Sequence, residues 1–296
     1  MKPIFRILAL LLSLPLVAWS QPVRQKINFD DNWKFHLGHA ADATKDFNYS
    51  IANIFAKSSK SEGTALDPKF DDSGWQTVQL PHDWVVTLPF ENSPNDDVMG
   101  HGYKPIGGLY PQNSIGWYRK TFAVNRADSS NRFVLHFDGV FRDGKVWING
   151  FYLGNQHSGY MGFAYDVSDY LNFDKPNTVV VRVDASQYEG WFYEGAGIYR
   201  HTWLEQYNNL HFTEGGVFVS STMKGDQEAI VSIQTEVENH NFEIAGAMVY
   251  SYLTDRDGRF VAKGSDQPLK LSGFNPTTDR SRSSLTLTGI RTRFTS

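Results

Sequence analysis

Along this chain apolar side chains recur at every second position, and that period limits what the chain can fold into more than any other feature. In NRFVLHFDG (131–139), Phe133, Leu135 and Phe137 fall on one side, and Arg132 and His136 on the other. Successive side chains of a strand point to opposite faces, so this reads as a half-buried strand. KVWINGFYLG (145–154) sets Asn149-Gly150 between two apolar runs. A type I′ hairpin turn needs positive φ at both central positions, and Asn-Gly supplies it. NTVVVRVDAS (177–186) is a nearly continuous valine run, as expected of a strand covered on both faces. After the first twenty residues no segment sustains a 3.6-residue period, and Gly or Pro recurs every ten to twenty positions. The fold class is therefore all-β, with sheets packed as a sandwich.

The first twenty residues, MKPIFRILALLLSLPLVAWS, stand apart. A basic start (Lys2, Arg6), an apolar run from Ile7 to Val17, and small residues at Ala18 and Ser20 make a secretory signal peptide with cleavage before Gln21. The run is too short to span a bilayer, and no later stretch is long and apolar enough to do so. The rest, roughly 275 residues, suffices for two ordinary domains. The net charge of -4, with signs interspersed, provides no basic patch for nucleic acid. There are no cysteines, which excludes disulfides, thiolate metal sites and a cysteine nucleophile. An exported chain without disulfides points to the periplasm or cell surface of a Gram-negative bacterium.

A boundary falls near Tyr207–Leu210. Beyond it, AIVSIQTEVEN alternates Val231, Ile233, Thr235 and Val237 against Ser232, Gln234 and Glu236, and MVYSYLTDRDGRFVAKG reads as a hairpin around Asp255–Gly258. That acidic turn lacks the twelve-residue pattern of a calcium loop. Residues 209–275 thus read as a smaller, immunoglobulin-like β-sandwich. A seven-strand sandwich takes about 100 residues, so this one is expected to be incomplete. Residues 276–296, rich in Ser, Thr and Arg, read as an atypical tail in which only LTLTGI hints at a strand.

Four segments carry a resemblance: FDDSGWQTVQLPHDW (70–84), NSIGWYRKTF (113–122), FDGVFRDGKVWINGFYLGNQHSGYMGFAYDVSDYL (137–171) and GAGIYRHTWLE (195–205). In their order and spacing they resemble the N-terminal part of glycoside hydrolase family 2, the β-galactosidase and β-glucuronidase group. The resemblance covers about residues 26–208 and implies a sugar-binding jelly roll there. In this family an immunoglobulin-like domain and then a catalytic (β/α)₈ barrel follow. It also implies that GAGIYRHTWL is a closing strand with Ile198, Trp203 and Leu204 in the core, Tyr199 packed with them, and QYEGWFYE a loop reaching toward the barrel.

Individual residues follow from the same resemblance. Asn113 matches a position from which the family's β-galactosidases send an amide toward the sugar. An amide both donates and accepts, which suits neighbouring hydroxyls; the residue equally fits a turn asparagine before a strand. Glu189 matches an acidic position in the 187–194 loop, with Glu194 as the alternative and a plain solvated carboxylate as the third reading. Trp191, and Tyr193 beside it, are placed either against sugar or in packing. His82 and Asp83 in LPHDW look like an acid–base pair, but adjacent residues of an extended segment point to opposite faces. No catalytic residue is assigned.

Retaining glycosidases need two carboxyls about 5–5.5 Å apart, which in this family stand on barrel strands. A barrel takes about 250 residues, and no segment here resembles either catalytic motif. The expectation is the N-terminal part of an exported family 2 glycosidase, of β-galactosidase type. It supplies carbohydrate-binding and scaffold domains, with no cofactor and no metal site of its own. Its expected partners are a β-galactoside or related glycan and a barrel-bearing chain or a second copy of itself, with no nucleic acid and no membrane span. The alternative is a stand-alone, lectin-like carbohydrate-binding module.

Overall fold

The computed structural model describes residues 24–40, 63–91, 104–187, 195–225 and 228–273, together with the backbone of a strand at 282–293. The proposed signal peptide, Glu189, Trp191, Tyr193 and Glu194 lie outside these residues. Strands dominate, and among the described residues no helix is long and apolar enough to cross a membrane.

Ten strands build the first sandwich: β1 (Arg24–Asn28), β2 (Trp33–Leu37), β3 (Gln76–Val78), β4 (Ile115–Phe122), β5 (Arg132–Phe137), β6 (Gly144–Ile148), β7 (Phe151–Gln156), β8 (Phe163–Asp166), β9 (Asn177–Asp184) and β10 (Thr202–Tyr207). One sheet has the order β1-β10-β5-β8 and the other β3-β2-β4-β9-β6-β7. All neighbouring pairs are antiparallel. Between the sheets, Phe133, Leu135 and Phe137 of β5 pack with Val179, Val181 and Val183 of β9. Asn149 and Gly150, with φ of 51° and 85°, make the β6–β7 hairpin as their sequence requires.

The middle of the six-stranded sheet is buried on its other face as well. There Val180 of β9, Trp117 of β4 and Trp147 of β6 join Leu66 and Trp75 in a second apolar cluster. The two tryptophan rings stack with centroids 6.2 Å apart. Truncating either would cost about 3–5 kcal/mol. Arg119 of β4 points into the same layer and is 1% exposed. A buried guanidinium needs partners for its donors. Here Nε donates to Asp72 Oδ2 at 2.9 Å, Nη2 to the Asp67 carbonyl at 3.2 Å and Nη1 to the Ala65 carbonyl. The FDDSGW motif is thus a lid: Asp72 meets Arg119 and Trp75 plugs the cluster.

Asp30, buried just past β1, ties the end of β1 to the start of β10. Its Oδ1 accepts from the Thr202 N–H at 2.7 Å and the Thr202 hydroxyl at 3.2 Å. Its Oδ2 accepts from Asn28 Nδ2 at 2.8 Å and faces His201 Nδ1 at 2.7 Å. Burial works against ionisation of this carboxyl, but the Thr202 N–H, His201 and Asn28 together hold it below the usual carboxylate range.

One expectation is corrected in β10. Leu204 and Ile198 are core residues, but Trp203 is half-buried on the outer face of its sheet. Its Nε1 donates to Asp138 Oδ2 at 2.9 Å, and Lys26 Nζ stands 4.4 Å from its ring centroid. Neighbours in a strand face opposite ways, so Trp203 and Leu204 cannot share one core. Tyr199 is likewise half-buried, its hydroxyl donating to the Gly159 carbonyl at 2.9 Å.

Asn208 and Asn209 separate β10 from β11 (Leu210–Lys224), which pairs with β12 (Glu228–Asn239) in a sheet ordered β11-β12-β17. The strand β17 (Arg282–Arg293) comes from the segment set apart as a tail. It runs antiparallel to β12 from Glu228↔Arg293 to Glu238↔Arg282. Alternating Ser/Thr and Leu/Ile is a strand pattern, and β-branched threonine favours it; the polar composition hid it. Two hairpin-like pairs complete this part: β13 (Ala245–Val249) with β16 (Gln267–Leu271), and β14 (Tyr252–Thr254) with β15 (Phe260–Lys263). Between β14 and β15, Asp255 Oδ1 accepts from the N–H groups of Asp257 and Arg259, both at 2.9 Å, as a turn aspartate does. The buried cluster here is small, centred on Val237, Val249 and Leu271.

Two outcomes follow. Asp30→Asn places an N–H against groups that now donate, so it should destabilise the first sandwich at neutral pH by about 2–4 kcal/mol. A depressed folded-state pKa stabilises above the ordinary carboxylate value of about 4 and loses that stability as pH falls below it. The melting-temperature gap between wild type and Asp30→Asn should therefore narrow as pH drops from 7 toward 3; a constant gap would show that the charge of Asp30 is immaterial. Calorimetric scans should also resolve two transitions, the less stable one belonging to residues 210–293 with their small core. Coincident melting, with equal resistance of both parts to limited proteolysis, would refute this.

Candidate functional site

Five segments meet at one end of the first sandwich. The LPHDW segment runs beside residues 196–198: His82 N–H donates to the Ile198 carbonyl at 2.8 Å and Trp84 N–H to the Ala196 carbonyl at 3.1 Å. On the opposite edge of that strip, Phe141 and Gly197 exchange both backbone hydrogen bonds, at 2.9 and 2.7 Å. Gly197 has φ +137°, and a Cβ there would stand 2.3 Å from the His82 carbonyl oxygen and 2.7 Å from the Tyr118 hydroxyl. Only glycine fits so close a backbone approach in that conformation.

His82 and Asp83 serve different partners. His82 Nδ1 lies 2.8 Å from the Tyr118 hydroxyl, and burial keeps the imidazole pKa below its usual value against the pull of Asp83. Asp83 Oδ1 accepts from the Val85 N–H at 2.9 Å and the Ala196 N–H at 3.1 Å. Asp83 is therefore a clamp on one foot of the 188–194 segment. The other foot is held by Asp184, whose Oδ1 accepts from Ser186 N–H at 3.0 Å and the Ser186 hydroxyl at 2.5 Å. Burial opposes ionisation of Asp184, but Ser186 and Arg182 hold its pKa down. Sequence reasoning missed both clamps. The Asp-x-Val of DWV and the Asp-x-Ser of DAS, each an aspartate bonded to the N–H two residues on, were the available signal.

Asn113 stands between these feet and the 105–110 loop, in a single helical turn, α1 (Pro111–Ser114), that leads into β4. Its carbonyl oxygen accepts from Trp84 Nε1 at 2.7 Å, and its own Nδ2 donates to the Pro105 carbonyl at 3.0 Å. Asn113 is half-buried, and its Oδ1 accepts no hydrogen bond from a described residue. Beside it Ser114 is fully buried and braces the same loop: its Oγ accepts from Gly107 N–H at 2.8 Å and donates to the Tyr110 carbonyl at 2.7 Å. The amide thus does a turn residue's work with its nitrogen and leaves its oxygen open as an acceptor.

The rim is apolar and exposed. Val86, Phe90 and Leu109 are 70%, 65% and 89% exposed. Lys104 donates to the Val86 and Leu88 carbonyls at 3.2 and 2.5 Å and stands 4.2 Å from the Phe90 ring centroid. The described part of this end can present a hydrogen-bonding group to a polar ligand and apolar surface to a covering partner. It brings no pair of carboxylates across a gap, since Asp83 and Asp184 are each committed to backbone N–H groups.

Residues 28–207 match the family model described as glycosyl hydrolases family 2, sugar binding domain. Beta-galactosidase BoGH2A of Bacteroides ovatus is 34% identical over 241 residues, covering 81% of this chain and 25% of that protein. A putative beta-glucuronidase of Formosa agariphila is 32% identical over 245 residues, covering 82% of this chain and 20% of that protein. Among solved structures, a glycosyl hydrolase family 2 member from Bacteroides cellulosilyticus superimposes with a TM-score of 0.69 at 26% identity, over 92% of this chain and 32% of that one. The chain spans a quarter or less of the length of these curated relatives. With its two-sheet frame, its clamped loop feet and this match over most of the first sandwich, the chain belongs to glycosyl hydrolase family 2.

Proposed function

We propose that this chain provides the carbohydrate-binding and scaffold part of an exported β-galactosidase, acting in the periplasm or at the cell surface. The observation that carries this reading is the convergence of Asn113, LPHDW and both feet of the 188–194 segment at one end of the sandwich. That arrangement supports Asn113 Oδ1, Glu189 and Trp191 as sugar contacts: an acceptor, a carboxylate for two hydroxyls, and a ring for the apolar face of a pyranose. The exposed rim of Val86, Phe90 and Leu109 suits the surface of a catalytic barrel. In this reading the barrel supplies both catalytic carboxyls, and the sandwich orients the sugar.

A neutral sugar is favoured over a uronate on chemical grounds. The polar groups assigned to the sugar are an amide and a carboxylate, and a uronate's charge calls for a cation. The 32% identical relative bearing a glucuronidase name keeps the second reading in play.

Binding and turnover separate these readings. The 296-residue chain should bind methyl β-galactoside in the millimolar range, corresponding to about 4 kcal/mol, and methyl β-glucuronide more weakly. Asn113→Ala should lose most of the galactoside signal in ligand-observed NMR while keeping its melting temperature within a few degrees. Micromolar affinity would favour a lectin-like module, and a preference for the glucuronide would favour the second reading. The same polypeptide should release no nitrophenol from a chromogenic β-galactoside at an enzymatic rate, because binding substrate and transition state equally accelerates nothing. Activity that tracks the protein through further purification would overturn the scaffold assignment.

A further inference from the structure

Away from the sugar-facing end, three ligand-type side chains meet on the second sheet. His211 of β11 and Glu238 of β12 are direct cross-strand partners, so they stand on one face of the sheet. His240 lies two residues beyond Glu238 and returns to that face. Its backbone N–H donates to the Asn209 carbonyl at 2.8 Å, which keeps it beside β11. Both Nε2 atoms approach the same oxygen, Glu238 Oε2, at 3.7 Å from His211 and 3.4 Å from His240. The two imidazoles are nearly parallel, at 12°, with centroids 5.5 Å apart. All three ligand atoms lie within 4.8 Å of one another.

Those separations are long for an N–H···O hydrogen bond, whose usual length is about 2.9 Å. At 3.4 Å the His240 contact is a weak hydrogen bond, and both separations also match the edge of a coordination tetrahedron. With metal–ligand bonds of about 2.0–2.1 Å, adjacent ligand atoms stand about 3.4 Å apart. We propose that His211, Glu238 and His240 form a binding site for a divalent transition-metal ion, zinc being the representative case. Two imidazoles and one carboxylate suit zinc-class metals, whereas calcium and magnesium prefer an all-oxygen shell. The side chains are 12%, 15% and 20% exposed, so the site is lined by protein yet open to solvent. Water can fill the remaining position.

The site's location suggests what the ion does. His211 follows directly on Asn208-Asn209, the connection between the two sandwiches. Asn209, His240 and Phe242 also line a cleft shared with Arg132, Asp166 and Tyr170 of the first sandwich. A bound ion ties the end of β12 to the start of β11 at this joint. A second constellation, His136, Glu205 and Glu214, brings together similar groups. There Glu205 already accepts from Arg24 and the Tyr207 hydroxyl, so an ion would have to displace a guanidinium. The expectation of no metal in this part of the chain is thereby set aside, because residues 211 and 238–240 become neighbours only through strand pairing.

The test is calorimetric titration of the full chain, untagged and stripped with chelator, with zinc chloride. One zinc per chain is expected, with affinity falling roughly tenfold or more in His211→Ala and His240→Ala and unchanged in His136→Ala. Cobalt should give the visible absorption of a tetrahedral site. Should either variant fail to fold, histidine-ring NMR of the unaltered chain decides: zinc should move the signals of His211 and His240 and leave the others in place. No saturable binding, affinity unmoved by both substitutions, or shifts confined to other histidines would overturn the proposal.

Discussion

The end of the first sandwich that carries Asn113 depends on strands buried on both faces. β4, β6 and β9 are the middle of the six-stranded sheet, and their side chains feed a core on each face. A strand in this position cannot shift by one residue without sending every side chain to the wrong layer. Arg119 sharpens that constraint. A guanidinium buried to 1% exposure is tolerable only with its donors satisfied, and Asp72, Asp67 and Ala65 satisfy them from a single loop. Register of the sheet and closure of the loop are thus one event.

That fixed sheet explains how α1 is aimed. Asn113 is two residues before β4, and Ser114, fully buried, bonds the 107–110 loop on one side while its carbonyl accepts from Ala185, just past β9, on the other. Trp84 stacks on Phe35 of β2 and donates to Asn113. The Asn113 amide is therefore held in place by several elements of the rigid frame. The second module is held less firmly. Its described buried cluster is small, and Phe218, Phe242 and Tyr252 are exposed.

Period and turn chemistry made most of the first sandwich legible. Phe133, Leu135 and Phe137 declared their face, the valine run of β9 declared its double burial, and Asn149-Gly150 declared its turn. Trp203, which the resemblance put in the core, faces outward because its strand neighbour Leu204 takes the core side. The strand at 282–293 was obscured because Ser and Thr read as loop composition, although pairing to β12 needs only backbone and β-compatible side chains. The resemblance singled out Asn113, whose bonds to Trp84 and Pro105 the structure shows. The clamps made by Asp83 and Asp184 left only a local sign, an aspartate bonded to the N–H two residues on, because the hold of Asp83 on Ala196 is made by the fold. The same holds for His211 with Glu238, separated by 27 positions and joined by register.

The paired feet at Asp184–Ser186 and Asp83–Ala196, with Gly197 wedged against the His82 carbonyl, have an evolutionary corollary. Anchors that draw on backbone N–H groups and on residues outside the span do not depend on what the span contains. The span between these anchors can therefore vary in sequence while the anchors themselves stay constant. Within such a lineage, change can concentrate between the anchors, with the two-sheet frame inherited unchanged.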